Sequence, residues 1–425
     1  MTGLMIAVAY AAVFTVMFFV VKVITHKFFQ RVDFTSLKTV TFGDESAVTA
    51  NRAASIISIV TLFLIWGAFT GSALVPIHVP GPFIGDTEFT YTARDAAGNE
   101  DDATVAIRVH RIGEDVEPIA VEPGGGFAKN DSDIVGAWRS TKPMRTDRND
   151  DATRDDGAAV IAINDQPIAP GESVAVADGA VSMSSKGSLI FTPKKGLQME
   201  PIWLPAPESV WSRFISIAAD GYQNFNLLEH LGSSLYRVVA GFFFGALVGI
   251  PLGFAMGLSN WFRGWFDPIV EFMRPVPPLA LIPLVIIWAG IGETGKVILL
   301  FLAALWIMTI AARAGVSGVQ ISKVHAAYSL GASRWQILRH VILPNSLPEI
   351  FTGARVAMGV CWGTVVAAEL VAAEKGAGMM IMVASKFQLT DIVIMGIILI
   401  GVIGYSIDIL MRMTERWLVP WKGRG

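Results

Sequence analysis

The sequence predicts an all-α polytopic membrane protein of about seven transmembrane helices, interrupted by one soluble, β-rich insert. Three observations carry this expectation. First, 53% of the 425 residues are hydrophobic and 16% are charged, with a mean hydropathy of +0.53, whereas soluble domains are about 25% charged. Second, the two classes are segregated: several apolar runs hold almost no ionisable residue, while residues 77–200 are rich in Asp, Gly and Pro. Third, basic residues gather in alternate connections, the pattern that sets orientation across a membrane.

The first apolar run spans residues 4–21. No basic stretch precedes it and no small-residue cleavage site follows it, so it reads as a retained helix rather than a signal peptide. Lys22, His26, Lys27, Arg31, Lys38 and Arg52 fill the connection to the second run, 53–75, which ends at Pro76. Basic residues in a short loop favour the cytoplasmic side. The N-terminus is therefore expected in the periplasm, residues 1–76 as a helix pair, and residues 77–200 as a periplasmic domain. Within that domain Phe89-Thr90-Tyr91-Thr92 and Thr104-Val105-Ala106-Ile107-Arg108-Val109 alternate in polarity, with good turn chemistry in Asp95-Ala96-Ala97-Gly98-Asn99 between them. This hairpin resembles the end of bacterial immunoglobulin-like sandwich domains. Residues 123–157 are polar and read as loop or partly disordered chain. The pairs Asp150/Asp151 and Asp155/Asp156 admit calcium, but a solvated loop is favoured because no regular ligand spacing appears.

The chain returns to the membrane from Trp203. Residues 207–219 read as a short amphipathic helix at the outer surface. Apolar runs at about 228–258, 268–290, 296–317, 350–373 and 390–411 are each long enough to cross a core about 30 Å thick at about 1.5 Å per residue. With the first two runs they make seven spans and place the C-terminus in the cytoplasm. Arg263, Arg313, Lys323, Arg334, Arg339, Arg412, Arg416, Lys422 and Arg424 then fall on the inner side, and Lys296, Lys375 and Lys386 on the outer. Gly241, Gly245, Gly249, Gly253 and Gly257 recur at helical spacing, a flat stripe suited to close helix packing. Trp261, Trp265, Trp417 and Trp421 read as interfacial belts.

Other chemistries find little support. A net charge of −3 gives no electrostatic footprint for nucleic acid. Cys361 is the single cysteine, so neither an internal disulfide nor a cysteine-based metal site is available, and its apolar surroundings indicate a packed thiol. The histidines show no metal-ligand spacing. The chain has no Gly-x-x-x-x-Gly-Lys-Ser/Thr loop to cradle phosphates.

The segment His325-Ala326-Ala327-Tyr328-Ser329-Leu330-Gly331-Ala332-Ser333-Arg334 and onward to Leu343-Pro344 reads as two short helices broken at Gly331. Glycine suits a left-handed helix end, Ser333 can cap the second helix, and Pro344 is expected to stop it. The pair is amphipathic and basic, lies between spans, and is expected in the cytoplasm, at about 323–344. This segment resembles the coupling motif of ABC importer permeases, Glu-Ala-Ala-x3-Gly-x9-Ile-x-Leu-Pro. Ala326, Ala327, Gly331, Leu343 and Pro344 match at the family's spacing, while His325 replaces the Glu and Val341 the Ile. The resemblance extends over 53–75 and from 203 to the C-terminus, defining a permease core at 201–425. It is carried by Leu204-Pro205-Ala206-Pro207-Glu208, Arg274-Pro275-Val276-Pro277-Pro278 and Gly290-Ile291-Gly292-Glu293-Thr294-Gly295, and Trp362-Gly363-Thr364-Val365-Val366-Ala367-Ala368-Glu369 looks most like the taurine branch.

The resemblance implies a type I importer permease core that carries no cofactor and hydrolyses no ATP itself. Two permease chains would line one pathway. Separate ATPase subunits, holding ATP and Mg, would grip the segment carrying His325, Ala326, Ala327, Leu330, Gly331, Ala332, Arg334, Leu343 and Pro344. A periplasmic binding protein would deliver the solute, taurine or a related organosulfonate, with nitrate or another small anion as the alternative. A membrane-anchored periplasmic receptor or assembly protein is the alternative of another class, suggested by the insert. Glu369 lies in the outer half of its span, where it either meets the ammonium of a passing solute or is a structural charge paired with Lys375 or backbone. Trp362 and Thr364 line the pathway or pack. Arg274 is a gate or an anchor to lipid phosphate. Gly376 and Gly378 suggest a tight outer re-entrant turn, as the resembling family has.

Overall fold

The computed structural model describes residues 3–29 and 52–421. Arg31, Lys38, Lys422 and Arg424 lie outside the described residues. The chain divides into two compact units, Met1–Glu208 and Ser209–Gly425.

The first unit opens with two apolar helices, α1 (Gly3–Phe29) and α2 (Arg52–Thr70). α2 ends before the expected limit at residue 75. The following segment forms strands β1 (Gly85–Arg94), β2 (Glu100–His110), β3 (Asp131–Gly136), β4 (Ala159–Ile163), β5 (Gln166–Pro167), β6 (Ser173–Val176), β7 (Gly179–Met183) and β8 (Leu189–Pro193). A five-stranded sheet runs β3-β2-β1-β4-β5 and a three-stranded sheet β6-β7-β8. Among the described residues, only the β2–β3 pairing is parallel. The β1–β2 turn closes because Asp95 Oδ1 accepts from the Asn99 backbone N–H at 2.8 Å. Phe89 and Tyr91 of β1 and Val105 and Ile107 of β2 meet Val181 of β7 and Leu189 and Phe191 of β8 in one buried core. The Phe89 and Phe191 rings stack with centroids 6.2 Å apart.

The stretch 123–157, expected as loop, contains β3 and two 3₁₀ turns, Thr146–Arg148 and Arg154–Asp156. Its polarity misleads because the carboxylates serve as local acceptors. Asp150 accepts from the Lys129 backbone N–H at 2.7 Å, Asp151 pairs with Lys129 at 3.0 Å, and Asp156 caps Thr153. Asp131 is different, since its Oδ2 is buried without a hydrogen-bond partner. Burial, with the Asp150 carboxylate nearby and Asp147 and Asp133 further off, pushes its pKa from 3.8 up to about 7, against the pull of the Asn149 side chain.

In the second unit the chain forms α3 (Pro207–Asp220), α4 (Leu227–Leu258), α5 (Asn260–Met273), α6 (Ile282–Ala289), α7 (Glu293–Ser317), α8 (Ile321–Ser329), α9 (Arg334–Ile337), α10 (Leu343–Ala372), α11 (Ala377–Lys386) and α12 (Thr390–Leu418). Among the described residues, four helices are long and apolar enough to cross a membrane: Leu227–Leu258, Glu293–Ser317, Arg334–Leu370 and Thr390–Leu418. The span expected at about 268–290 is a bent pair, Asn260–Met273 and Pro278–Ala289, with an angle of 94° between them, and makes a fifth if counted as one. The break follows from Pro275, Pro277 and Pro278, which cannot donate to the helical ladder.

The stripe of small residues on α4 lies against α7. A Cβ on Gly249 would stand 2.7 Å from the Leu305 carbonyl oxygen, and Gly241, Gly245, Gly253 and Gly257 similarly face Leu300, Ala304, Thr309 and Val316. Helix backbones approach this closely only where side chains are absent. Val238, Leu300, Ala304 and Met308 then join Ala357, Cys361, Trp362 and Val365 of α10 in a single core. The Cys361 thiol is buried there, 3.5 Å from the Leu300 carbonyl oxygen.

Two measurements follow. Gly249→Val overpacks the α4–α7 contact and should cost about 1–3 kcal/mol, seen as a lower thermal midpoint in detergent. Gly232→Ala, which meets open space, should be neutral or slightly stabilising by the same assay. For Asp131, an acid whose folded pKa is raised contributes stability at low pH that is lost as pH climbs from 3.8 towards about 7. Asp131→Asn should therefore raise hydrogen-exchange protection of the β2–β3 amides several-fold at pH 8, and by less at pH 5.

Candidate functional site

Two places in the second unit concentrate unusual chemistry. The first is the α8–α9 connection. Its turn is a Schellman motif: the Gly331 N–H donates to the Tyr328 carbonyl at 2.9 Å, and the Ala332 N–H to the Ala327 carbonyl at 3.1 Å. Gly331 sits at φ +81°, a left-handed conformation that glycine adopts without a Cβ penalty. Ser333 opens α9 with a capping box, its backbone N–H donating to Gln336 Oε1 at 2.8 Å and its hydroxyl accepting from the Gln336 N–H at 3.4 Å. Lys323 Nζ closes the element from behind, donating to Asn345 Oδ1 at 2.9 Å.

This scaffold projects Leu330, which is 88% exposed, together with exposed Tyr328 and Trp335. His325, Ala326 and Arg334 are exposed, and Ala327 and Ala332 half-buried. Pro344 does not stop the helix as the sequence suggested. A π-helical turn, Leu338–Ile342, carries the chain into α10, with Leu343 and Pro344 in the first turn of that helix. The wider π repeat suits a proline here, because Pro344 has no N–H to donate and in a regular helix its ring would clash with the carbonyl four residues back.

The second place is a buried polar cluster at the α10–α11 turn. The Arg237 side chain is 0% exposed. Its Nε and Nη2 donate to the Glu293 carboxylate at 2.6 Å each, and its Nη1 donates to Glu369 Oε1 at 2.5 Å and to the Lys375 carbonyl at 2.9 Å. Lys296 Nζ lies 3.2 Å from Glu293 Oε1, so two cations face two carboxylates and the cluster is formally neutral. Backbone amides complete it. The Gly378 N–H donates to Glu369 Oε2 at 2.9 Å, the Ala377 N–H to Ser234 Oγ at 3.0 Å, and the Gly376 N–H to His230 Nδ1 at 3.1 Å. These amides open α11, where a helix has no carbonyl to offer its first donors. Because His230 Nδ1 accepts, its proton sits on Nε2, 3.0 Å from the Tyr222 carbonyl.

The comparisons with known proteins agree with one another. Residues 245–420 match the family model described as binding-protein-dependent transport system inner membrane component. The chain is 47% identical over 226 residues to the taurine transport system permease protein TauC of Escherichia coli (strain K12), covering 53% of this chain and 82% of that protein. It is 38% identical over 218 residues to the putative aliphatic sulfonates transport permease protein SsuC of the same organism, covering 51% and 81%. It is 31% identical over 188 residues to the bicarbonate transport system permease protein CmpB of Synechococcus elongatus, covering 44% and 68%. The chain belongs to this family of ABC importer permeases.

In this permease Glu369 pairs with backbone, one of the two partners the sequence reading allowed, and not with the Lys375 side chain. Its carboxylate is taken by Arg237, Ser234 and the Gly378 amide, while the Lys375 ammonium lies 5.5 Å from the centre of the Phe225 ring. Trp362 is buried and its Nε1 donates to the Ile400 carbonyl at 3.1 Å, tying α10 to α12. Thr364 is also buried. Arg274, largely exposed and 3.8 Å from Glu271, caps α5 at the 94° bend. Gly376, at φ +142°, makes the tight turn before α11. Among the described residues no group of three or more His, Cys, Asp and Glu is placed to hold a metal ion.

Sequence reading passed over His230, Ser234 and Arg237, and named Glu293 only within a segment that carried the family resemblance. The spacing of His230, Ser234 and Arg237 was the available signal: it puts all three on the α4 face that continues as the glycine stripe, and an arginine inside an apolar run needs a partner. A cycle of variants tests the cluster. Arg237→Met alone leaves Glu369 buried without its cation and should cost about 3–5 kcal/mol. Adding Glu369→Gln should recover much of that loss in thermal unfolding, whereas Lys375→Ala, which keeps the carbonyl that Arg237 uses, should change little.

Proposed function

We propose that this chain is the transmembrane subunit of an ATP-driven importer for taurine or a related organosulfonate, and that it couples ATPase motion to alternating access. The observation that carries the coupling role is the exposed Leu330 at the tip of a doubly capped turn. A large apolar side chain, flanked by exposed Tyr328 and Trp335, is held there by hydrogen bonds on both sides, as a knob for a groove on a soluble partner. That partner is a separate ATPase subunit bearing ATP and Mg. Around the knob, His325, Ala326, Ala327, Gly331, Ala332 and Arg334 form the contact surface. Leu343 and Pro344 form its hinge into α10.

The loop is well placed to transmit force. It leaves from the end of α7 and returns into α10, and these helices pack tightly where Gly315 faces the Ser346 backbone. Displacement of the knob therefore reaches both helices, and through the stripe on α4 a third. Two such chains line one pathway, and a periplasmic binding protein delivers the solute. The topology that fits this role has seven spans, counting α1 and α2 and the bent pair, with the N-terminus in the periplasm and the C-terminus in the cytoplasm.

For the substrate, support comes from the relatives named for taurine and aliphatic sulfonates. Glu369, spent on Arg237, acts as a positioning group for the outer turn, which leaves Trp362 and Thr364 as packing residues and Arg274 as an exposed residue at the bend. A small inorganic anion is the second reading, favoured by the relative named for bicarbonate.

The test is ATP-dependent uptake of labelled taurine in a strain that lacks its own taurine system, supplied with this chain, its ATPase and its binding protein. Gly331→Pro cannot adopt the observed positive φ and should abolish uptake by more than tenfold with membrane insertion unchanged. Leu330→Asp should do the same while lowering ATPase stimulation. Uptake that survives both variants rejects the coupling role. Uptake competed by bicarbonate or nitrate but not by alkanesulfonates keeps the importer and changes its substrate.

A further inference from the structure

The import reaction makes no use of a cavity in the first unit. It has a volume of about 530 Å³ and lies between the start of β3 and the segment 143–149, within the size range of small-molecule sites, about 300–1,000 Å³. Asp131 and Asp133 line it from β3, and Arg145 and Arg148 from the other segment. Opposite charges thus face one space, yet no ion pair joins either aspartate to either arginine. The contacts of Arg145 go to Asp147, at 3.0 Å from Nη2 and 3.3 Å from Nε, so its Nη1 is uncommitted. Arg148 makes no side-chain hydrogen bond or ion pair among the described residues. On the other wall Asp131 Oδ2 is buried with no hydrogen-bond partner, an arrangement that costs free energy unless a donor arrives.

Both walls are fixed in place. Met144 exchanges two backbone hydrogen bonds with Leu189, at 2.8 and 3.1 Å. Asp147 is buried and accepts from the Arg154 N–H at 3.0 Å, and Asn149 donates to the Asn130 carbonyl at 3.1 Å. The backbone segments that carry the aspartates and the arginines are therefore held in place by these contacts.

We propose that this cavity is a binding site for a small zwitterion, its primary ammonium on Asp131 and Asp133 and its sulfonate or carboxylate on Arg148 and Arg145. Guanidinium groups bind such anions through paired N–H donors, and an ammonium is matched by the carboxylates of Asp131 and Asp133, which line the same space. The insert is then a ligand-sensing or ligand-presenting domain, and residues 245–420, which match the transport family, have no share in the site. The proposal goes beyond the import reading and is read out by binding, so a failure of taurine uptake leaves it standing.

Isothermal titration of the full chain in detergent or nanodiscs tests it, with taurine and β-alanine as zwitterions and ethanesulfonate and ethylammonium as the separate halves. Either zwitterion should bind at least tenfold more tightly than both halves. Asp131→Asn should weaken zwitterion binding at least tenfold and leave ethanesulfonate unchanged. Arg148→Gln should weaken zwitterion and ethanesulfonate alike and leave ethylammonium unchanged. If one variant misfolds, by the β-sheet signal in circular dichroism, the other still decides. Absence of zwitterion binding, equal affinity for a zwitterion and its halves, or affinity that the folded variants do not alter would overturn the assignment.

Discussion

The second unit depends on one constraint: a guanidinium removed from water must be matched by negative charge and acceptors on every donor. Arg237 meets it by drawing Glu293 from the start of α7, Glu369 from α10 and the Lys375 carbonyl from the turn into one place. Removing both charges and repacking the space with apolar groups can leave stability unchanged, whereas removing one cannot. The ion pairs therefore fix which elements meet more than they add to stability. Their effect reaches the backbone, because Glu369 also accepts from the Gly378 amide, while His230 and Ser234 on the same α4 face take the amides of Gly376 and Ala377. Without them α11 would begin with buried donors and no partners.

From that cluster the α4 face continues as glycine. The consequence is a helix pair, α4 and α7, whose backbones touch over most of their length and which offers little freedom for sliding. α10 joins the pair through Ala357, Cys361 and Val365. A connection that emerges from α7 and re-enters through α10 is thus attached to stiff members at both ends, and its own turn is locked by a Schellman motif and a capping box. Rigidity at the base and an exposed apolar tip are the two properties that the proposed mechanical contact would require, since a loose tip would dissipate motion passed to it.

The first unit obeys different physics. Its core is made by alternating side chains from two small sheets, and its polar segments are ordered by carboxylates that accept local backbone and side-chain donors. It lies outside the residues that match the transport family. Its charged cavity owes nothing to the demands of a membrane.

Much was legible without coordinates. Apolar runs announced the long helices because a lipid-spanning segment must satisfy its backbone internally and cover itself with apolar groups. The glycine stripe, the helix break at Gly331 and the cap at Ser333 are local features whose chemistry is complete within a few residues. The alternation around Phe89 and Val105 was enough to mark the hairpin. Sequence alone did not determine partners distant along the chain. That Glu369 meets Arg237 rather than the nearby Lys375, that Pro344 enters a helix through a π turn rather than ending one, and that a polar stretch becomes a parallel edge strand all depend on which surfaces come together. Pairing across more than a hundred residues, and the burial that gives it consequence, arises only when the helices pack, because only then does a charge lose its water and require a particular neighbour.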